Sequence, residues 1–179
     1  MFEPRYKEMI RECLDLNEPF GVVRAVAQGI AEIGCTAEIV AVTTQDSDGR
    51  LDIVSEGRQR FEVLHLNQER TFLRAEVLTL EDEPGSPAKE VTDRAVELHS
   101  QIMRLAGAVQ DLSAANMTTL SFHLAGSLPL DLDFKQKLLG LHSESRRVSL
   151  LAEYFETLLP SLHRAAHARE KAGGNGHAG

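Results

Sequence analysis

The chain contains no tryptophan, and aromatic residues make up only 5% of it, so stacking platforms for single-stranded nucleic acid are poorly supplied. Cysteine is nearly as scarce. Cys13 and Cys35 stand apart without Cys-x-x-Cys spacing, which indicates neither a disulfide framework nor a zinc site. Both read as small buried thiols in a reducing compartment. Positive charge is also in deficit, with 19 basic against 27 acidic residues and a net charge of −8. Phosphate neutralisation needs clustered Lys and Arg, so a broad nucleic-acid face is disfavoured. No apolar run approaches the roughly 18–20 residues needed to cross a bilayer. Charged residues among the first twelve positions do not fit a secretory signal. The expected location is cytoplasmic.

What is present is ordinary for a globular protein: 179 residues, 42% apolar and 26% charged, enough for one large domain or two small ones. Residues 4–16 predict a first helix, with Tyr6, Met9, Ile10, Cys13 and Leu14 at helical spacing and Pro4 in the first turn. Asn17-Glu18-Pro19 ends it. From Phe20 to Leu80 the period becomes that of strands. Phe20 to Ala25-Val26 is one candidate, Gly29 to Gly34 a connection, and Thr36 to Val42 a half-buried strand. Asp48-Gly49 marks a hairpin turn. Arg50 to Val54 follows, Gly57 reads as a bend or bulge, and Arg60 to Leu66 alternates, with Phe61, Val63 and His65 sharing one face. Phe72 to Leu80 repeats the pattern. Short strands joined by turns without crossover helices predict a small antiparallel barrel or sandwich.

Glu81 to Pro87 is acidic and rich in Pro and Gly, and reads as a boundary. Ser86 suits an N-cap and Pro87 the first helical position. Helical patterns then cover 88–108, 114–126, 134–141 and 143 to about 167. In the first, Val91, Ala95, Leu98, Ile102, Leu105 and Ala106 form the stripe. Pro160 is expected to kink the last helix or end it early. The division is therefore 1–82 for the strand-rich unit, 83–167 for the helical unit, and 168–179 as a disordered tail.

Chemistry is poorly supported. His65, His99, His123, His142, His163, His167 and His177 are scattered. Only His163 and His167 share a helical face, without a third ligand or a zincin Glu. His142 and Ser143 are adjacent and point apart on a helix start, so Ser143 is better explained as an N-cap. No cofactor or metal is expected, and no catalytic residue. Arg58 and Arg60, two apart on one strand face, would grip a phosphate or carboxylate. They are better explained as partners of Glu56, Glu62 or Glu76. Phe122, Leu128, Leu130, Leu132 and Phe134 form the most conspicuous apolar cluster. Leu128, Leu130 and Leu132 alternate with Pro129, Asp131 and Asp133, a pattern no helix face needs. They either line a groove between barrel and bundle that receives a guest chain or belong to the bundle core.

Several segments fit one known pattern in order and spacing. They are Phe2-Glu3-Pro4-Arg5-Tyr6, Gly34 to Ile39, Asp48-Gly49-Arg50, Gly57-Arg58-Gln59-Arg60-Phe61, Leu128-Pro129 and Lys135 to Leu139. Over about residues 2–160 the chain resembles the amino-terminal substrate-recognition domain of the Lon protease family, in stand-alone form. The resemblance implies an α+β fold, a PUA-like antiparallel pseudobarrel followed by a C-terminal helical bundle. In that fold Phe2, Glu3, Pro4, Arg5, Tyr6, Gly57 and Phe61 are structural motif residues. It also implies a non-catalytic module for unfolded or client proteins, working beside a separate protease. The family's phosphate loop, Gly-x-x-x-x-Gly-Lys followed by Ser or Thr, is not in this sequence. In the family an apolar strand precedes the Phe-Glu-Pro-Arg-Tyr segment. The expectation is that this first barrel strand is missing, or the start codon miscalled, leaving an open edge through which the chain dimerises. RNA binding is the alternative, because PUA-like barrels host it.

Overall fold

A computed structural model describes residues 3–46, 51–108 and 118–174. The chain divides into two units, Met1–Glu81 and Asp82–Gly179.

The first unit opens with α1 (Pro4–Leu16), which has Pro4 in its first turn and ends at Asn17 in the left-handed region, φ 54°. Asparagine tolerates that conformation, and the Glu18 N–H donates to the Cys13 carbonyl to close the end. The buried stripe is narrower than the spacing predicts. Ile10 is fully buried, whereas Tyr6 and Leu14 are exposed. The strands are β1 (Phe20–Val22), β2 (Ala25–Val26), β3 (Gly29–Ile30), β4 (Ile33–Gln45), β5 (Leu51–Asn67) and β6 (Arg74–Thr79). Among the described residues they form a four-stranded antiparallel sheet ordered β1-β4-β5-β6 and a small β2-β3 hairpin. The Asp48-Gly49 turn lies outside the described residues.

Two expectations about this sheet are corrected. The expected Phe20–Val26 strand is split, β1 pairing with β4 and β2 with β3. Gly57 is no bend either. It stays within the continuous β5, opposite Ala37 and beside a register shift between Cys35 and Ala37. There the Thr36 hydroxyl spans the irregularity, accepting from the Gln59 N–H at 2.9 Å. A second shift lies between Val63 and His65. One extra residue reverses which face the later side chains take. Leu66, and not His65, therefore joins Phe61 and Val63 on the inner face.

The second unit consists of α2 (Lys89–Leu105), α3 (Leu120–Gly126), α4 (Leu132–Leu139) and α5 (Glu144–Gly174). α2 starts two residues later than Ser86 and Pro87 predict; the Ala88 carbonyl accepts both the Thr92 N–H and the Thr92 hydroxyl. Asp131 caps α4, accepting from the Asp133 and Phe134 N–H groups at 2.9 and 3.0 Å. Residues 114–117 of the expected 114–126 helix lie outside the described residues. Pro160 does not end α5. A proline costs its own N–H bond, and here the buried Leu159 and half-buried Leu162 hold the helix against the core on either side of it. Residues 168–174, expected in a disordered tail, continue α5; residues 175–179 lie outside the described residues. Ala95, Ile102, Leu124, Val148, Leu151 and Phe155 form the centre of the core.

Two of the polar side chains buried in this unit, His99 and Arg147, are large and ionisable. His99, 1% exposed, faces inward where the apolar pattern favours Leu98. Its Nε2 lies 2.7 Å from Ser127 Oγ. Because the Ser127 hydroxyl donates to the Leu124 carbonyl, the geometry suits a donating Nε2–H. Burial holds the His99 pKa below its ordinary value. The unfolded chain therefore binds the proton more readily, and stability falls as pH drops below about 6.5, levelling off under the folded-state pKa. Urea denaturation between pH 7.5 and 5 is expected to show this loss in the wild type and a flatter profile in His99→Gln. Equal slopes would remove His99 as the cause.

The other group is Arg147, whose side chain is fully buried. It donates to Ser121 Oγ (3.1 Å), Glu144 Oε2 (2.9 Å), the Leu141 carbonyl (2.6 Å) and both oxygens of Asp82. Its guanidinium carbon lies 4.6 Å from the centre of the Phe122 ring. Burial opposes the charge, but the hydrogen bonds to Asp82 and Glu144 outweigh it and hold the pKa above the ordinary arginine value. Glu144, 4% exposed, also accepts the Ser121 N–H and hydroxyl at 2.8 and 2.6 Å.

Candidate peptide-binding site

The first unit encloses a cavity of about 320 Å3. α1 contributes Met9 and Cys13; the β1 edge contributes Phe20, Gly21 and, just beyond it, Val23. β5 contributes Phe61, Val63 and Leu66, and Ala75 and Val77 come from β6. Phe72 and Leu73 line it just ahead of β6, and Glu12, Glu18 and Arg74 bring charge to its wall. β1 and β6 are the two edges of the sheet, yet both face this space. Among the described residues, the sheet is therefore curled around the cavity with its two edges unjoined.

The curl depends on close packing at its floor. Gly34 on β4 lies under the Phe61 ring, and a Cβ there would stand 2.6 Å from the Val22 carbonyl oxygen and 2.7 Å from Phe61 Cζ. The opposite wall is held by ion pairs. Arg70 reaches Glu8 at 3.2 Å and Glu12 at 2.8 Å, and its guanidinium carbon lies 5.2 Å from the centre of the Phe72 ring. The Thr71 hydroxyl donates to Glu8 and, with Arg70, holds that carboxyl below the usual range. Burial pushes the Cys13 thiol up, with Glu12 and Glu18 adding to it. A concave apolar surface with a few polar groups at its margin suits an apolar guest.

The residues singled out from sequence fall in different places. Arg58 is exposed and pairs with Glu38 at 2.6 Å and Glu56 at 3.0 Å, while Arg60 is buried and its carbonyl accepts the Leu80 N–H. Phe61 lines the cavity, and Gly57 approaches Cys35 Sγ. Pro4 and Tyr6 lie in α1 with Arg5, which pairs with Glu3 at 2.7 Å. Phe2 lies outside the described residues. In the helical unit Leu128 and Leu130 are buried in the core, Leu132 is 61% exposed, Phe134 stacks on Tyr154 at 3.9 Å, and Phe122 lies under Arg147. These five do not form one surface. His163 and His167 are exposed, and no group of three metal-ligating side chains occurs among the described residues. No helix of the described residues is long and apolar enough to cross a membrane.

Sequence reading missed the cavity and the Arg147 network. The second had a signal. Arg147 sits four residues before Leu151 and eight before Phe155, on the buried stripe of α5, where a charge is informative.

The model of the ATP-dependent protease La (LON) substrate-binding domain matches residues 1–156. The chain belongs to this family. A crystal structure of a Lon N-terminal domain protein from Xanthomonas campestris superposes with a TM-score of 0.68 at 24% identity, covering 86% of each chain. The N-terminal domain of Mycobacterium avium complex Lon protease gives 0.57 at 16% identity over 77% of each. Lon protease of Amoebophilus asiaticus is 27% identical over 72% of this chain, and the match spans 17% of that protein's length. The Lon substrate-binding domain is thus the matched part, and its α+β architecture of antiparallel sheet followed by helices is the one described above.

Proposed function

We propose that the chain is a non-catalytic module that holds protein substrates by their exposed apolar or unfolded segments and leaves any cutting to a separate protease. The observation that carries this reading is the open apolar cavity of the first unit, present in a domain of a substrate-binding family. Its lining offers Phe20, Phe61, Phe72, Leu66 and Val77 to apolar side chains. Burying one such side chain contributes about 1.5–3 kcal/mol, so two or three supply about 3–9 kcal/mol before the cost of ordering the guest, and micromolar capture, about 8 kcal/mol net, draws on further contacts along the guest chain.

Cys13 provides a reporter, because it lines the cavity and Cys35 does not. Both thiols are held in the less reactive protonated form by burial, so alkylation is best followed at pH 8.5 by mass spectrometry. A reduced and carboxymethylated, permanently unfolded protein is expected to slow modification of Cys13 severalfold and leave Cys35 unchanged. Parallel slowing of both, or of neither, would remove the cavity as the binding surface.

A further inference from the structure

Among the described residues, β6 hydrogen-bonds on one side only, to β5, and all its residues are exposed. The far side of an edge strand presents unpaired N–H and C=O groups. Large apolar side chains stand open along it: Leu73 is 54% exposed, Val77 44% and Leu78 53%. Ala75 and Val77, two apart and so on one face, line the cavity, and the opposite edge β1 lines it too. An open backbone edge and an apolar hollow therefore meet at the same seam. That combination selects its occupant. A lipid or an apolar small molecule would fill the hollow but leave the β6 amides unpaired. An extended polypeptide satisfies both, because its backbone continues the sheet and every second side chain points to one face. Charge favours a cationic flank on the guest. Glu18 stands at the cavity with Arg74 and with Glu12, which is already paired to Arg70, and the first unit as a whole carries more carboxylates than cations.

We propose that β6 is the docking edge for substrate: a client segment in extended conformation adds to Arg74–Thr79 as a further strand and sends alternate apolar side chains into the cavity. This rests on the substrate-holding reading and specifies the shape it recognises, a strand with apolar residues two apart and basic residues beside them. Six paired residues span about 20 Å.

The test changes the ligand and leaves the protein intact. A fluorescent peptide of about nine residues, valine alternating with threonine and lysine at each end, is titrated with the full chain by anisotropy. Two N-methylated versions follow, one methylated at the first, third and fifth central amides and one at the second and fourth. Only one set of amides in an added strand faces β6. One version is therefore expected to bind about tenfold or more weakly and the other like the parent. Hydrogen exchange should slow at the β6 amides facing away from β5 when the parent peptide binds. Equal behaviour of the two methylated peptides, with unfolded protein still captured, overturns strand addition and leaves substrate holding in place. Failure of both peptide and unfolded protein to bind overturns both. Protection of the β6 amides without peptide, rising with protein concentration alongside a sedimenting dimer, assigns the edge to a second copy of the chain and overturns the proposal.

Discussion

Replacing Arg147 with methionine is expected to destabilise the helical unit by about 3–5 kcal/mol, the range for removing one partner of a buried ion pair. The cause is less the lost attraction than what stays behind. Glu144 is 4% exposed and is left buried beside Ser121 without its cationic partner, while the Leu141 carbonyl loses its Arg147 donor. Methionine fills much of the volume but offers no donor. A second substitution separates these contributions. Adding Glu144→Gln removes the stranded carboxyl, so the double variant is expected to be more stable than Arg147→Met alone. Urea unfolding followed by circular dichroism, arranged as a double-mutant cycle, reads this directly. A single-variant loss below about 1 kcal/mol, the level of an exposed pair, would show that the network is solvated and contributes little.

Gly34→Ala is the counterpart in the strand unit, with an expected cost of about 3 kcal/mol, the upper end for overpacking. The added methyl would stand 2.6 Å from a backbone oxygen of β1 and 2.7 Å from both Phe61 Cζ and Val23 Cγ1. A flexible side-chain tip can swing away from such a contact, but the Val22 carbonyl belongs to the β1–β4 ladder and cannot. Relief requires β1 to shift, which also moves one edge of the cavity. The variant should therefore lose peptide affinity together with stability. Gly57→Ala is the control, because its Cβ would meet only Cys35 Sγ at 3.4 Å. It is expected to cost less, by the same urea titration. A Gly34→Ala protein as stable as wild type would mean that β1 is not tightly laid against β4.

The strand-rich half followed by a helical half was legible in the change of hydrophobic period, and the family in an ordered set of short segments that no single motif could have carried. α1 was readable at both ends because Pro4 and Asn17 act locally. What stayed hidden depends on partners far along the chain. The reversal of facing after Val63 comes from one unpaired residue against β6, and nothing in Val63-Leu64-His65-Leu66 announces it. The inward turn of Thr92 and His99, beside Val91 and Leu98 at the edge of the core, is decided by acceptors at Ala88 and Ser127. The alternation of Leu128, Leu130 and Leu132 left a groove lining and the bundle core both open; the first two lie in the core, while Asp131 caps α4 and leaves Leu132 in solvent. The cavity was least legible, because its lining is drawn from α1 and from both edges of a curled sheet.

The most direct measurement is equilibrium binding of the purified chain to one protein in two states, native and permanently unfolded, with a generic RNA alongside. Saturable capture of the unfolded form, little of the native form, no cleavage of either and no bound RNA is the predicted result. Stoichiometric RNA with no affinity for the unfolded protein, or turnover of any of the three, would contradict it.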